Sequence, residues 1–545
     1  MAYRFSLIIA GIIGAYAFLL IHLYQIQLVK GNYYLAKADS EIASSQGRNG
    51  TRGAIYFTDK DGIELPAAIE KQFPIIYAVP TAIEDAPEAA NTFASILGMP
   101  VSTLEKIFSK KSDSYELLIR KADPAIADAV EEKNIKGVYA DVESDRYYPL
   151  GPVGSQALGY VGPNASNNGE SGHYGLEAFY DDYLEGPTSS IGGQDLQLTI
   201  DPNIQIEAEK ILDDLVVANG ATGGSVMVED PQTGKILAMG AYPSFDPNDY
   251  ASSPVANFLN PNVQAVYEPG SIIKVLTMAA GIDSGNVSPN STYDDVGYVN
   301  VNGAHITNYN LTTHGPYGPG TTMSDIIEHS INTGAIWVEN RMGNPTFTEY
   351  MKKFRLGEKT GIDLPGEVSG NLSQLNSHSP QVVFDTSAYG QGISMTPIEL
   401  MTAVAGIANG GMMMRPYLNA ADTPQELGRA VSSSTARTVA TMMVSAIDNI
   451  SGAPAISGYS LAGKTGSAYI PNPKGGGYLN QLDDSYIGFG PTSNPRFIAF
   501  IRLNTLPVTA LAAESVVPAF KNLAQFIINY YNIPPDRPDT TGTGR

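Results

Sequence analysis

Ser225-Val226-Met227-Val228-Glu229, then Asp230-Pro231-Gln232-Thr233-Gly234, then Lys235-Ile236-Leu237-Ala238-Met239-Gly240-Ala241 reads as two β-type runs joined by a breaker whose Pro and Gly suit a turn. That is a hairpin. A second is expected from Ser485 to Gly490 and from Phe497 to Leu503, around Pro491-Thr492-Ser493-Asn494-Pro495. Ahead of the first, Asp195 to Ile200 alternates like a strand, and Ile204, Ala208, Ile211, Leu212 and Leu215 recur at helical spacing. Beyond the second, Pro518 to Tyr531 sets Phe520, Leu523, Ala524 and Ile527 on one face of a closing helix. Between the hairpins the pattern is mainly helix and loop. Strands, then helices, then strands predict an α+β domain over 195–533 whose antiparallel sheet is assembled from both ends of the segment. There is no internal repeat.

Residues 31–194 have another texture. Short strand-like runs alternate with a charge-rich stretch read as helical, Thr103 to Glu132 and then Asp141 to Arg146, and Gly and Pro interrupt the chain often from Pro149 to Gly193. This region is expected to be a pedestal. Residues 1–30 open with Arg4 and run from Phe5 to Val29 without a charge, roughly 37 Å as a helix, enough to cross a bilayer. A cleaved signal peptide is the weaker reading, since the apolar part is too long and Gln25, Gln27 and Lys30 separate it from Ala36-Lys37-Ala38. Arg4 on the leading side places the rest of the chain outside the cytoplasm, as a single-pass protein of the cytoplasmic membrane. Residues 534–545, from Pro534-Pro535 to Arg545, read as a disordered tail.

Composition narrows the chemistry. With 545 residues and 43% hydrophobic content the chain fills several full-sized cores. Lys plus Arg number 33 against 55 Asp plus Glu, a net charge of −22, which disfavours a nucleic-acid partner. The absence of Cys removes disulfides, zinc knuckles and a thiol nucleophile, so any chemistry uses oxygen or nitrogen groups.

Three short motifs carry that chemistry. Tyr267-Glu268-Pro269-Gly270 breaks the chain just before the helical run from Ser271 to Ala280, so Ser271 stands at a helix N-terminus with Lys274 one turn on, on the same face. A serine hydroxyl is a weak nucleophile until a base removes its proton, and a partly desolvated, neutral lysine beside it can do so. Ser330-Ile331-Asn332 falls at the junction of two helical runs, Thr322 to His329 and Gly334 to Met342, where a hydroxyl and an amide can face one cleft. Gly463-Lys464-Thr465-Gly466-Ser467 runs into β-type Ala468-Tyr469-Ile470, so its glycines allow a ligand close to a strand edge and Lys464 supplies positive charge. Gly458 to Thr465 also matches the phosphate-cradling GxxxxGK[ST] pattern, but no helix follows it, and nucleotide is not expected as a ligand.

Ser-x-x-Lys, Ser-x-Asn and Lys-Thr-Gly in this order resemble the set of penicillin-binding proteins and class A β-lactamases. The resemblance to class B penicillin-binding proteins extends to Tyr242–Asn248, Tyr267–Lys274, Lys359–Glu367, Tyr389–Gly392 with Met395–Pro397, and Ile407–Gly411. In the pedestal, Arg52–Ile55, Arg146–Gly151, and Tyr174–Glu177 with Leu184–Gly186 resemble that class's dimerisation-domain motifs. The fold so implied is a β-lactamase-like transpeptidase domain on an elongated pedestal with one transmembrane helix.

The resemblance implies a serine-type D,D-transpeptidase of peptidoglycan, needing no metal or cofactor. Ser271 would attack the D-Ala-D-Ala bond of a stem peptide, and an amine from a neighbouring strand would resolve the acyl-enzyme into a cross-link. Lys274 would be the base, Ser330 the proton relay and Asn332 a clamp on the donor peptide, with Lys464, Thr465 and Gly466 binding substrate. The backbone N–H groups of Ser271 and Ser467 would form the oxyanion hole. β-Lactams would acylate the same serine. Tyr267–Ser271 resembles the septal, cell-division branch, whose expected partners are a polytopic glycosyltransferase and division proteins. Departures from the pattern are a run at Ile55–Gly62 two residues longer than usual, Ile331 where serine is frequent, and Ser467 in place of threonine. A D,D-carboxypeptidase, a β-lactamase-like hydrolase or a β-lactam sensor shares the three motifs, and an idle cell-wall scaffold is the alternative outside catalysis. The pedestal favours the transpeptidase.

Overall fold

The computed structural model describes Leu19 and residues 52–166, 169–186, 192–449, 454–507 and 512–537. The anchor read at Phe5–Val29 therefore lies outside the described residues apart from Leu19, and no helix among the described residues is long and apolar enough to cross a membrane.

The chain forms two compact units, and they do not follow a single cut in sequence. Of the described residues, one unit holds those up to Ile55 together with 66–150 and those within 182–195; the other holds 56–65, those within 151–181 and those from Leu196 on. Residues 56–65 and 151–181, within the 31–194 expected as pedestal, pack with the C-terminal body: Leu198 N–H donates to Tyr56 O, and Thr58 N–H to Ile200 O.

In the first unit, most of strand β1 (Glu64–Ala78) is followed by helices α1 (Ala86–Leu97) and α2 (Val101–Phe108), strand β2 (Glu116–Ile119), helix α3 (Pro124–Lys133) and strand β3 (Val138–Tyr147). Asp85 caps α1 by accepting from Glu88 N–H, and Asp123 caps α3 through Ala125 N–H. Phe93, Leu97, Leu104, Phe108 and Val130 are buried with Ile76 and Val138 of the strands in one core. The run Asp141–Arg146, expected as helix, is strand: β3 pairs antiparallel with β1 from Ile69↔Tyr147 to Ala78↔Val138. Ten consecutive pairs outweigh the helical preference of a charged run, and Arg120 and Lys121 neutralise Asp145 at 3.0 and 3.2 Å. Arg146 is almost fully buried, and its Nη1 donates to Gly53 O at 2.8 Å.

The larger unit opens on helix α4 (Pro202–Asn219), capped by Asp201 and ended by Gly220 in the left-handed region. Strands β4 (Gly223–Asp230) and β5 (Lys235–Tyr242) form the first expected hairpin. Helices α5 (Ile273–Asp283), α6 (Met323–Glu328), α7 (Asn332–Met342) and α8 (Pro397–Ala408) follow. Strands β6 (Ala462–Pro471), β7 (Tyr478–Gly490) and β8 (Phe497–Pro507) then lead to helix α9 (Val516–Tyr530). The five strands make one antiparallel sheet in the order β6-β7-β8-β4-β5, with Phe500 opposite Met227 where the two ends of the segment meet.

Ile204, Ala208 and Leu212 of α4 and Phe520, Leu523 and Ile527 of α9 share a core with Val226, Val228, Ala499 and Ile501 from one face of the sheet. The intervening residues Met227, Ile498 and Phe500 are buried too, so both faces are covered, and α8 packs against β7 and β8. The sheet thus presents β6 as its edge. The start of the segment expected as a disordered tail is held by side chains: Asp536 accepts from Ser460 N–H at 2.7 Å, and Arg537 pairs with Asp448 at 2.8 Å. These partners hold Pro534–Arg537 in the fold, while residues beyond Arg537 lie outside the described ones.

Candidate active site

Ser271 lies in a short 3-10 turn, Gly270–Ile272, that feeds directly into α5, so Lys274 falls one turn along on the same side. Every residue from Ile273 to Gly281 is buried, which makes α5 a helix enclosed on all sides with a lysine inside it. Gly270 adopts a φ of 59°, and a Cβ there would stand 2.7 Å from Ser467 O. Only glycine lets the nucleophile turn approach the β6 edge so closely. Gly390 braces the turn from another side, its carbonyl accepting from Gly270 N–H at 3.1 Å, and Tyr267 and Met395 exchange two backbone bonds of 3.0 Å.

Between α6 and α7 the chain turns through Ser330 at φ 55°, a left-handed position usually left to glycine. Ile331 N–H returns to Ile326 O at 3.0 Å, closing α6, and Asn332 begins α7. This strained junction delivers three groups to one point. Lys274 Nζ lies 2.9 Å from Ser271 Oγ, 3.1 Å from Ser330 Oγ, 2.5 Å from Ser330 O and 2.7 Å from Asn332 Oδ1. Lys464 Nζ lies 2.9 Å from the same Ser330 Oγ and 3.3 Å from Thr465 Oγ1.

Among the described residues no carboxylate joins this set of contacts, so neither lysine has a counter-charge there. Both lysines are almost fully buried. Burial, and after it the charge of Lys464, drives Lys274 well below the usual lysine range; burial alone pushes Lys464 down to about 7. A neutral Lys274 with its lone pair free accepts a proton from Ser271, and Ser330 can pass one between the lysines and a leaving group.

The structure therefore brings together Ser271, Lys274, Ser330, Asn332, Lys464 and Thr465. Gly466 is where β6 runs against the nucleophile turn: a Cβ there would stand 2.7 Å from Pro269 O. The Ser467 side chain makes a different contact, donating to Asp484 at 2.5 Å. Burial raises Asp484 to about 6. Asn332 has both ends of its amide engaged, Oδ1 with Lys274 and Nδ2 with Thr307 O at 3.0 Å. Asp484 and Thr307 escaped the sequence reading, because a cross-strand partner and a backbone carbonyl carry no motif. Lys464 sits within strand β6, so the Gly458–Thr465 pattern opens no helix and builds no phosphate cradle. A cavity of about 510 Å³ lies beside the turn, lined by Tyr267, Glu268, Gly392, Tyr469 and Arg502, and contains neither Ser271 nor the lysines.

Comparison with known proteins agrees with this arrangement. The profile of the penicillin binding protein transpeptidase domain matches residues 224–525, and that of the penicillin-binding protein dimerisation domain matches 48–192. The chain is 30% identical to stage V sporulation protein D of Bacillus subtilis, over 92% of this chain and 82% of the relative. It is 27% identical to the peptidoglycan D,D-transpeptidase FtsI of Escherichia coli, over 98% and 93%. Its fold resembles that of penicillin binding protein 3 from Mycobacterium tuberculosis, crystallised with aztreonam, at a TM-score of 0.67 and 22% identity over 90% of this chain and 98% of that one. The chain belongs to the class B penicillin-binding proteins, in which a dimerisation domain accompanies a serine-type transpeptidase domain.

Proposed function

We propose that this protein cross-links peptidoglycan stem peptides through an acyl-serine at Ser271. The observation that carries this reading is the placement of one buried lysine against both hydroxyls: Lys274 Nζ is 2.9 Å from Ser271 Oγ and 3.1 Å from Ser330 Oγ. Neutral Lys274 takes the Ser271 proton as Oγ bonds to the carbonyl carbon of the penultimate D-Ala. The oxyanion is held by the N–H groups of Ser271 and Ser467. The C–N bond to the terminal D-Ala breaks, and the departing amine receives a proton through Ser330. An amine from a second strand then attacks the ester, loses its proton by the same route and frees Ser271 as the new amide forms. Lys464 and Thr465 bind the donor's terminal carboxylate, whose charge draws Lys464 back toward its protonated form. Asn332 and Gly466 hold the donor peptide. A β-lactam enters by the same attack and stays as an ester.

The uncharged run Phe5–Val29, with Arg4 ahead of it, supports a single-pass place in the cytoplasmic membrane with the rest of the chain outside the cytoplasm. The likeness of Tyr267–Ser271 to the septal branch supports work at the division site beside a polytopic glycosyltransferase. The test of the reaction is to incubate the full chain with glycan strands bearing pentapeptide stems and to measure free D-Ala and cross-linked muropeptides. Both are expected with the wild type and neither with Ser271→Ala. Release of D-Ala without cross-links would identify a carboxypeptidase instead.

A further inference from the structure

Helix α7, which starts with the candidate clamp Asn332, lacks a cap of its own: its N-cap residue is Ile331, which has no acceptor to offer the first turn. The acceptor comes from elsewhere in the chain. Asn308 Oδ1 accepts from Thr333 N–H at 3.0 Å. Asn308 in turn donates through Nδ2 to both oxygens of Asp295, each at 3.1 Å. Thr333 Oγ1 donates to Asp295 Oδ1 at 2.6 Å, Gly297 N–H to the same oxygen at 3.2 Å, and Tyr317 N–H to Oδ2 at 2.9 Å. Asp295 is 1% exposed. Its hydrogen bonds nonetheless hold its carboxyl below the usual carboxylate range against burial, so the group is a buried anion at the N-terminus of α7, where the helix dipole favours one.

The network reaches the reacting groups by one short path. Asn308 follows Thr307 in the chain, and Thr307 O accepts from Asn332 Nδ2 at 3.0 Å. That bond decides which end of the Asn332 amide faces Lys274, since only Oδ1 can accept from an Nζ–H, and it does so at 2.7 Å. A flipped amide would set an NH₂ group against Nζ. We propose that Asp295, through Asn308 and Thr333, is a positioning residue for the active site, locking the Asn332 amide with its oxygen toward Lys274.

This rests on acylation of Ser271 as read above. The test is a double-mutant cycle on the full chain, measuring the second-order rate of acylation by benzylpenicillin and the thermal midpoint for Asp295→Asn and the milder Thr333→Val, each alone and with Asn332→Ala. Each single variant is expected to slow acylation about tenfold, the scale of one hydrogen bond to a charged group. Neither is expected to slow it further once Asn332→Ala is present. Equal slowing in both backgrounds, or unchanged rates in folded single variants, would overturn the proposal; if Asp295→Asn does not fold, Thr333→Val decides. Failure of the wild type itself to acylate would instead count against the Ser271 reading.

Discussion

Lys464 Nζ stands 2.9 Å from Ser330 Oγ, and the same hydroxyl lies 3.1 Å from Lys274 Nζ. Two buried amines against one hydroxyl cannot both hold a proton at low cost. Removing the charge of Lys464 relieves the second of the two causes that depress Lys274, after burial itself.

For Lys464→Met this raises the proton affinity of Lys274, so less of it is neutral at a given pH. The ascending limb of the acylation rate against pH should move to higher pH, on top of a fall in rate from the lost carboxylate partner. Stopped-flow acylation across pH 5–10 checks this, and an unmoved limb would argue against Lys274 as the base.

Lys274→Met exchanges a buried amine for an apolar chain of similar length. Acylation should fall by roughly 100- to 10,000-fold, the usual worth of a general base. Stability near neutral pH should rise by about 1 kcal/mol, because folding no longer has to strip the proton from a buried amine. The folded lysine is depressed below 10.5, so between those values the unfolded chain binds more protons and wild-type stability climbs with pH. The variant's advantage should therefore shrink in alkali, as chemical denaturation at several pH values would show.

Asp484 is raised by burial to about 6 from 3.8, so the folded state binds its proton more tightly than the unfolded chain. Its contribution is fully present below about pH 4 and is lost as pH rises through 6. Asp484→Asn, which keeps an acceptor for Ser467, should match the wild type at pH 4 and exceed it by up to about 3 kcal/mol at pH 8. Denaturation midpoints at the two pH values measure the difference.

Gly390 has a φ of 87°, and a Cβ there would stand 2.0 Å from Gly270 O. Gly390→Ala should lose more than about 2 kcal/mol of stability and slow acylation by displacing the nucleophile turn. Gly285, at φ 73° with nothing within 4 Å of its Cβ position, is the control. Gly285→Ala should lose about 1 kcal/mol and leave the acylation rate of the folded protein unchanged.

Much of this could be read from the residues because it is local. The 225–241 hairpin follows from its β-type runs and its Pro-Gly turn, and the Ser271–Lys274 contact from helical spacing across one turn. What escaped depends on distant partners. Asp141–Arg146 becomes strand because Glu70–Ile75 lies opposite it, and 56–65 packs with the C-terminal body because Leu198 and Ile200 bond to it. Pro534–Arg537 is ordered by Ser460 and Asp448, far upstream. The cap of α7 comes from Asn308, and no spacing rule links that residue to Thr333.

The most direct test of the central claim is the intact mass of the protein after incubation with a β-lactam, for the wild type and for Ser271→Ala. A stable adduct of one β-lactam on the wild type, mapped by peptide digestion to Ser271 and missing from the folded variant, is the predicted result. An adduct that persists in Ser271→Ala, or a folded wild type that gains no mass and consumes no β-lactam, would contradict it.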